Sequence, residues 1–200
     1  MITLFSINAY AFTNCPSDKS LIWHDCFGTY NLTNAENNGD KYVGQWAGGQ
    51  FHGQGTYIWA SGNILKYAGG FQNGKRHGKG TSTYVNGDKY VGQWAGGQFH
   101  GQGTYIWASG EKYIGEFKED IKHGQGIYTW VNGVEYVGEF KEGKRHGQGT
   151  NTYPDGSKDI GFYMNDKYVP NICRSMELRK GDLEFEQCIL NLIDEIKQKN

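Results

Sequence analysis

The chain has 200 residues, of which 20 are Lys or Arg and 21 are Asp or Glu, so its net charge is close to zero. It contains 31 glycines and 3 prolines, and 15% of its residues are aromatic. So many glycines leave little room for long helices, because each interior Gly costs about 0.5–1 kcal/mol relative to Ala. The aromatic content excludes a disordered low-complexity chain. The balanced charge without a concentrated basic stripe argues against a nucleic-acid-binding protein.

Residues 1–41 form a predicted N-terminal segment that begins with an apolar run. This run contains Ala9-Tyr10-Ala11, which is spaced like a signal cleavage site, but no Lys or Arg precedes it. It therefore resembles an incomplete export signal, and the alternative is a strand packed against the first repeat. The sequence leaves open whether the chain is exported or periplasmic, peripheral to a membrane, or cytoplasmic. No stretch approaches the ~20 apolar residues that are needed to span a bilayer.

The four cysteines lie outside the central repeats. Cys15 and Cys26 are candidates for a disulfide that staples the N-terminal entry, and the alternative is a pair of buried thiols. The other two, Cys173 and Cys188, lie near the C-terminus. Neither pair has the short Cys-x₂₋₄-Cys spacing of a structural zinc site, so no metal is predicted.

An internal repeat dominates the chain. Residues 39–62 and 87–110 both read GDKYVGQWAGGQFHGQGTYIWASG, and weaker copies of the pattern recur about every 23 residues. A fixed period of this length indicates an array in which each unit buries its apolar face against its neighbours. Numbered from a leading tyrosine, the five units are 42–66, 67–89, 90–112, 113–135 and 136–158.

Each unit is predicted to contain two strands. Tyr-x-Gly-x-aromatic alternates with period two, then Gly-x-x-His-Gly-x-Gly leads into a second alternating segment such as residues 103–107. The Asn-Gly or Asp-Gly that closes several units, such as Asn86-Gly87, predicts a tight type I′ turn. We therefore expect an all-β fold, an elongated open antiparallel meander of hairpins in a single-layer twisted ribbon. The turn lengths do not reveal whether both aromatic sets share one face.

Partial units flank the array and bring the expected total to about twelve strands, with about 4.8 Å between neighbouring strands. Upstream, residues 26–30 resemble a second strand. Downstream, residues 159–163 keep the Gly and the second aromatic but begin with Asp159 in place of the tyrosine. After this partial last repeat, apolar residues at helical spacing predict an amphipathic helix at about 182–198. This helix is expected to cap the last hairpin, and the alternative is a helix for partner binding or dimerisation.

This combination of motifs resembles the MORN (membrane occupation and recognition nexus) repeat over residues 42–158. The resemblance implies an elongated ribbon of hairpins with a role in phospholipid binding, scaffolding or dimerisation. In several families such repeats precede a catalytic domain, for example a lipid kinase. Only about 40 residues follow the array here, too few for a domain of that kind.

A catalytic or metal-binding role is not expected. Five of the six histidines recur at one repeat position, which we expect in the turn between the two strands of each unit. Equivalent positions in successive units would be two strands apart, about 9.5 Å, too far to share one zinc ion. No nucleophile elbow is present, and no helix follows the Gly-x-Gly segments to bind phosphate. The sequence therefore predicts a non-enzyme without a cofactor, a small-molecule substrate or a nucleic-acid partner.

Two functions remain. The first is a scaffold that binds a protein partner or a second copy through an aromatic-lined surface, because Tyr and Trp dominate interface hot spots. Its candidate residues are Trp46, Tyr57, Trp59, Trp94, Tyr105, Trp107 and Trp130. The alternative is peripheral binding to anionic phospholipid through basic hairpin tips. Its candidate residues are Lys75, Arg76, Lys122, Lys144 and Arg145.

Overall fold

A computed structural model describes residues 12–18, 20–32 and 39–198. They form one fourteen-stranded sheet, whose strands follow chain order, and two C-terminal helices. The strands are β1 Thr13–Asn14, β2 Cys26–Asn31, β3 Lys41–Ala47, β4 Gln50–Ile58, β5 Ile64–Gln72, β6 Lys75–Tyr84, β7 Lys89–Ala95, β8 Gln98–Ile106, β9 Lys112–Lys118, β10 Ile121–Thr129, β11 Glu135–Lys141, β12 Lys144–Thr152, β13 Lys158–Met164 and β14 Lys167–Tyr168. The helices are α1 Val169–Arg174 and α2 Leu183–Gln198. The predicted open meander with a C-terminal helix is confirmed.

Strand pairing shows that both aromatic sets of a unit lie on one face. In the first unit Tyr42 pairs with Tyr57, and Trp46 pairs with Phe51. Because side chains alternate along a strand, these four rings project from the same side of the sheet, and the intervening residues project from the other. We call these sides the aromatic face and the opposite face.

The leading tyrosine of each unit lies flat across a pair of glycines. In the first unit the pair is Gly44 and Gly55, which face each other on β3 and β4, and the Tyr42 hydroxyl donates to the Gln45 carbonyl at 2.9 Å. A Cβ on either glycine would collide with the tyrosine ring or its hydroxyl. Phe51 covers the outer side of the ring, with 4.1 Å between centroids. All five leading tyrosines are fully buried in this way, although the sheet has a single layer.

The His-Gly-x-Gly segment forms a bulge in the second strand. Its first glycine, Gly53 in the first unit, has φ of 56°, which places it in the left-handed region. The Gln45 side chain fills the bulge, because its Oε1 accepts a hydrogen bond from the Gln54 backbone N–H at 2.7 Å. The five repeated histidines were expected in the turns. They lie instead within the second strand of each unit, at positions 52, 77, 100, 123 and 146.

The type I′ turns occur inside the units and not between them. Asn73 and Gly74 both have positive φ, and so do Glu119 and Asp120 at the equivalent turn. Between units only the glycine does, as at Gly87 with φ of 94°. The prediction that Asn-Gly forms a two-residue type I′ turn is therefore wrong. The connecting loop is longer, because the Tyr84 N–H donates to the Asp88 carbonyl and the Asp88 N–H donates to Asn86 Oδ1.

A disulfide stands at each end of the ribbon. Cys15 and Cys26 are bonded and tie the short β1, which pairs in parallel with β2, to the sheet. The residues of the predicted export signal lie outside the described part. At the other end Cys173 and Cys188 are bonded and join α1 to α2, a link not foreseen from the sequence.

The last repeat closes differently from the others. Tyr168 on β14 lies over Gly161 and donates to the Ile160 carbonyl at 2.9 Å, so it takes the place of the missing leading tyrosine. Helix α2 packs against β12 and β13 and buries Phe185 and Ile196. None of the helices in the described residues has the length and apolar character that crossing a membrane requires.

We predict that Gly103→Ala lowers the free energy of unfolding by about 1–3 kcal/mol, the usual cost of overpacking. Gly103 does not have a positive φ, and its added Cβ would lie 2.5 Å from the Tyr90 hydroxyl. The neighbouring Thr104→Ala, whose side chain projects from the opposite face, is the matched control and should cost less. Urea denaturation of the two variants tests this prediction, and equal losses would contradict the packing described above.

We also predict alkaline unfolding. Burial raises the pKa of Tyr67 from 10.0 to about 12 and raises the pKa of the other four leading tyrosines. Folding therefore favours the protonated phenols, so this stability is complete below pH 10 and is lost as the pH rises through the folded-state values. Each tyrosine that must ionise steepens the loss by about 1.4 kcal/mol per pH unit. Circular dichroism and the tyrosinate absorbance of the leading tyrosines should change together above pH 10; ionisation of these buried tyrosines at pH 10 in a folded chain would contradict the prediction.

Candidate functional site

Three of the seven predicted partner-binding aromatics belong to the core. Trp46, Tyr57 and Trp94 are buried, and Trp94 packs edge-on against Tyr90 with 5.1 Å between centroids. The Tyr57 hydroxyl donates to a carboxylate oxygen of Asp40 at 2.8 Å. These side chains cannot contact a partner without unfolding their unit.

The other four aromatics are partly exposed. Trp59, Trp107 and Trp130 each follow the second strand of a unit, where they begin the loop to the next unit. Trp107 rests on Tyr105 and Tyr128, with ring centroids 4.6 and 5.3 Å away. Only the outer edges of these rings are therefore accessible.

Three of the five predicted lipid-binding residues point onto the aromatic face. Arg76, Lys122 and Arg145 occupy the position that Phe51 and Phe99 hold in the duplicated units. The Arg76 guanidinium lies 4.1 Å from the Trp94 ring centre and donates to the Gly97 carbonyl at 2.7 Å. These cations therefore cover the leading tyrosines as the phenylalanines do, and they are not hairpin tips.

Lys122 and Arg145 show the same packing. The Lys122 ammonium lies 4.5 Å from the Tyr128 ring centre, and burial lowers its pKa. Arg145 donates to Asp166 through its backbone N–H at 2.9 Å and forms a 3.3 Å ion pair with the same carboxylate. Of the five predicted residues, Lys75 and Lys144 are the two that are exposed at hairpin tips. The five basic residues thus do not form one basic surface.

The duplicated segments each contain one buried carboxylate. Burial acts to raise the pKa of Asp88, but hydrogen bonds from the Tyr105 hydroxyl and the Ala108 N–H, at 2.7 and 2.8 Å, bring it below its ordinary value. Asp40 receives the same two bonds from Tyr57 and Ala60. Both carboxylates therefore anchor the loop between units. The described residues contain no group of three or more His, Cys, Asp or Glu that could hold a metal ion.

The opposite face carries a continuous line of small and β-branched residues, which we call the central stripe. Its members occupy neighbouring register positions on twelve consecutive strands. They are Thr29, Val43, Thr56, Ala68, Thr81, Val91, Thr104, Ile114, Ile127, Val137, Thr150 and Ile160. Apolar members remain open to solvent, because Val91 is 42%, Ile114 40% and Val137 46% exposed.

Part of the central stripe lies in a groove of about 830 Å³. The groove extends from Phe27 on β2 to Gln102 on β8 and is lined by stripe residues, by the glycine backbones and by polar side chains such as Gln54 and Gln93. Rings fill the aromatic face while small residues line the other, and the groove makes the opposite face concave between β2 and β8.

A second line on the opposite face was missed in the sequence. Lysine directly precedes the leading tyrosine in four of the five units and precedes Asp159 in the partial unit. These residues, which we call the lysine row, lie beside the central stripe on alternate strands. They are Lys41, Lys66, Lys89, Lys112 and Lys158. The spacing of 25, 23 and 23 residues between the first four of them is the sequence signal that reveals the row.

Comparison with known proteins identifies the repeat. Five segments, residues 42–64, 67–89, 90–112, 113–135 and 136–158, match the family model of the MORN repeat. No curated protein matches the chain. Among solved structures, the crystal structure of the TCP10c domain of Drosophila melanogaster Sas-4 is 14% identical and covers 68% of this chain and 99% of that chain. Its TM-score of 0.22 is too low to support any inference. The five repeat matches span more than half of the sequence and confirm the resemblance: this chain belongs to the MORN repeat family.

Proposed function

We propose that this chain is a non-catalytic scaffold that binds a protein partner along the concave opposite face. The central stripe is the observation that supports this proposal. It keeps Val91, Ile114 and Val137 in line and 40–46% exposed on one side of a sheet whose other side forms the core. Contiguous exposed apolar surface of this kind marks an interaction site in soluble proteins.

The chemistry of the groove suits a protein chain. Threonines alternate with aliphatic residues along the stripe, and glutamines flank it at positions 54, 93 and 102. Side-chain amides donate and accept hydrogen bonds, so they can pair with the backbone of a bound segment while the stripe contacts its apolar side chains. The proposed partner surface is therefore the opposite face and not the aromatic surface that was expected from the sequence.

Catalysis and lipid binding receive less support. The MORN repeat is a non-catalytic repeat type, and the ionisable groups that are most buried, such as Asp88, serve as structural anchors. Of the predicted lipid-binding residues, Arg76, Lys122 and Arg145 are packed against rings. The exposed tips around Lys144 also carry Glu142, which reduces their positive charge.

The proposal predicts that Val91→Asp combined with Ile114→Asp abolishes partner binding while the chain stays folded. Two carboxylates would then interrupt the apolar stripe in its middle. The matched control is Val85→Asp with Val131→Asp, which changes two valines that are each 65% exposed in the loops between units. Affinity capture from an extract of the source cells, read by quantitative mass spectrometry, and light scattering of the pure protein measure binding to other proteins and to itself.

We expect the wild-type chain and the loop variant (Val85→Asp with Val131→Asp) to capture the same proteins or to form the same dimer. The stripe variant (Val91→Asp with Ile114→Asp) should lose these proteins or this dimer. Equal retention by both variants would place the interface elsewhere. Circular dichroism of each variant checks that the sheet remains intact.

A further inference from the structure

We propose that the lysine row recognises an acidic, extended segment of the partner, with carboxylates repeated about every third residue. This proposal rests on the proposed function, because it names the chemistry of the chain that would lie along the opposite face. It is carried by the register of the sheet, the spacing of the lysines and the absence of ion pairs to these lysines among the described residues.

The sheet register aligns the lysines into a single row. Lys41 and Lys66 both pair with Ile58, and Lys66 and Lys89 both pair with Thr83. Lys89 and Lys112 both pair with Ile106 in the same way. Each lysine also precedes a residue that is buried on the aromatic face, so its own side chain projects from the opposite face.

The row has a fixed spacing. Successive lysines are two strands apart, which corresponds to about 9.6 Å, so the four from β3 to β9 extend over about 29 Å. Glu135 occupies the equivalent place on β11 and ends this stretch before Lys158. Four lysines in line therefore precede the first acidic residue of the row.

The lysines have no acidic partner within the described part of the chain. No ion pair within the described part of the chain includes a member of the row, and the pairs of His24 with Asp25 and of Arg145 with Asp166 lie elsewhere. Lys41, Lys66 and Lys89 are exposed, and Lys112 is half-buried. The Asp40 and Asp88 carboxylates, although adjacent in sequence to Lys41 and Lys89, are buried on the aromatic face and bonded to tyrosines. A row of uncompensated cations attracts a partner of opposite charge.

The spacing favours an extended partner over a helical one. In a polyproline II segment, every third residue is about 9.3 Å further along the axis. Carboxylates at this spacing would be displaced from the lysines by less than about 1 Å after three intervals. On an α-helix, carboxylates repeated every seven residues are about 10.5 Å apart. They would be displaced from the lysines by about 3 Å after three intervals. An extended chain also fits beside the central stripe, where threonine and valine offer shallow contacts.

The shape of the opposite face favours a polymer over a membrane. The groove beside the lysine row is concave between β2 and β8. A flat bilayer would contact only the edges of the groove, whereas a linear segment could lie along the bottom of the groove. Anionic vesicles are therefore an alternative ligand to be tested and not the expected one.

The test uses the full chain and a fluorescent peptide of six Glu-Pro-Val triplets, read by anisotropy at low and moderate salt. A second peptide of the same composition has its glutamates gathered at one end. The variant is Lys66→Gln with Lys89→Gln, and the matched control is Lys75→Gln with Lys144→Gln, two exposed lysines outside the row. We expect the periodic peptide to bind wild type about tenfold more tightly than the gathered one, and the row variant to weaken it about tenfold. The control should change binding less than about twofold.

Three results would overturn the proposal: equal binding of the two peptides, unchanged binding by the row variant, or binding of the chain to phosphatidylserine vesicles but not to the periodic peptide. Capture of cellular partners separates this proposal from the preceding one. If the stripe variant loses its partners and the row variant keeps them, the scaffold proposal stands and the acidic segment is wrong. If both variants keep them, neither proposal stands.

Discussion

The structure depends on one contact, the leading tyrosine lying across a pair of glycines. In each unit the ring replaces the side chains that the glycines lack, and its hydroxyl bonds to a carbonyl three residues along, as in Tyr42 to Gln45. This arrangement lets a single-layer sheet bury a large aromatic side chain completely. The high glycine content and the high aromatic content are therefore two halves of the same packing.

This contact makes the two faces unequal. Every ring of the core lies on one side, and Phe51, Arg76, Phe99, Lys122 and Arg145 cover the leading tyrosines in turn. Aromatic and cationic side chains are interchangeable there, because a guanidinium or ammonium over a ring is attracted to its π face. The opposite face is left with small residues, and part of it forms an open groove. The face that stays open to solvent thus follows from the packing of the core.

The sequence allowed the ribbon to be predicted, because the repeat fixes the order and pairing of strands. The parity of the two aromatic sets could not be predicted, since it depends on the two-residue turn at Asn73-Gly74 and the bulge at Gly53. Arg76 looked like an exposed charge because sequence alone does not reveal that its neighbours are rings. The bond between Cys173 and Cys188 depends on how α1 and α2 meet, which no local pattern encodes.

The burial of the candidate site residues could not be predicted from the sequence. Large aromatics suggested a binding face, yet the strongest candidates, such as Trp94, are needed to cover the leading tyrosines. The lysine row was visible as a period in the sequence. Its alignment on one face became evident only from the register, which places Lys66 and Lys89 on either side of Thr83.

The central claim is that each unit is held by its neighbours alone, through the tyrosine and glycine contact. The two copies of the 24-residue segment allow a direct test, because deletion of residues 39–86 joins residue 38 to Gly87 and recreates the native sequence across the junction. The deletion removes β3–β6 and leaves β2 facing β7, which is identical to β3. Small-angle X-ray scattering with circular dichroism should show a folded ribbon shorter by about 19 Å, four strand spacings. An unfolded chain, or a folded one of unchanged length, would contradict the account.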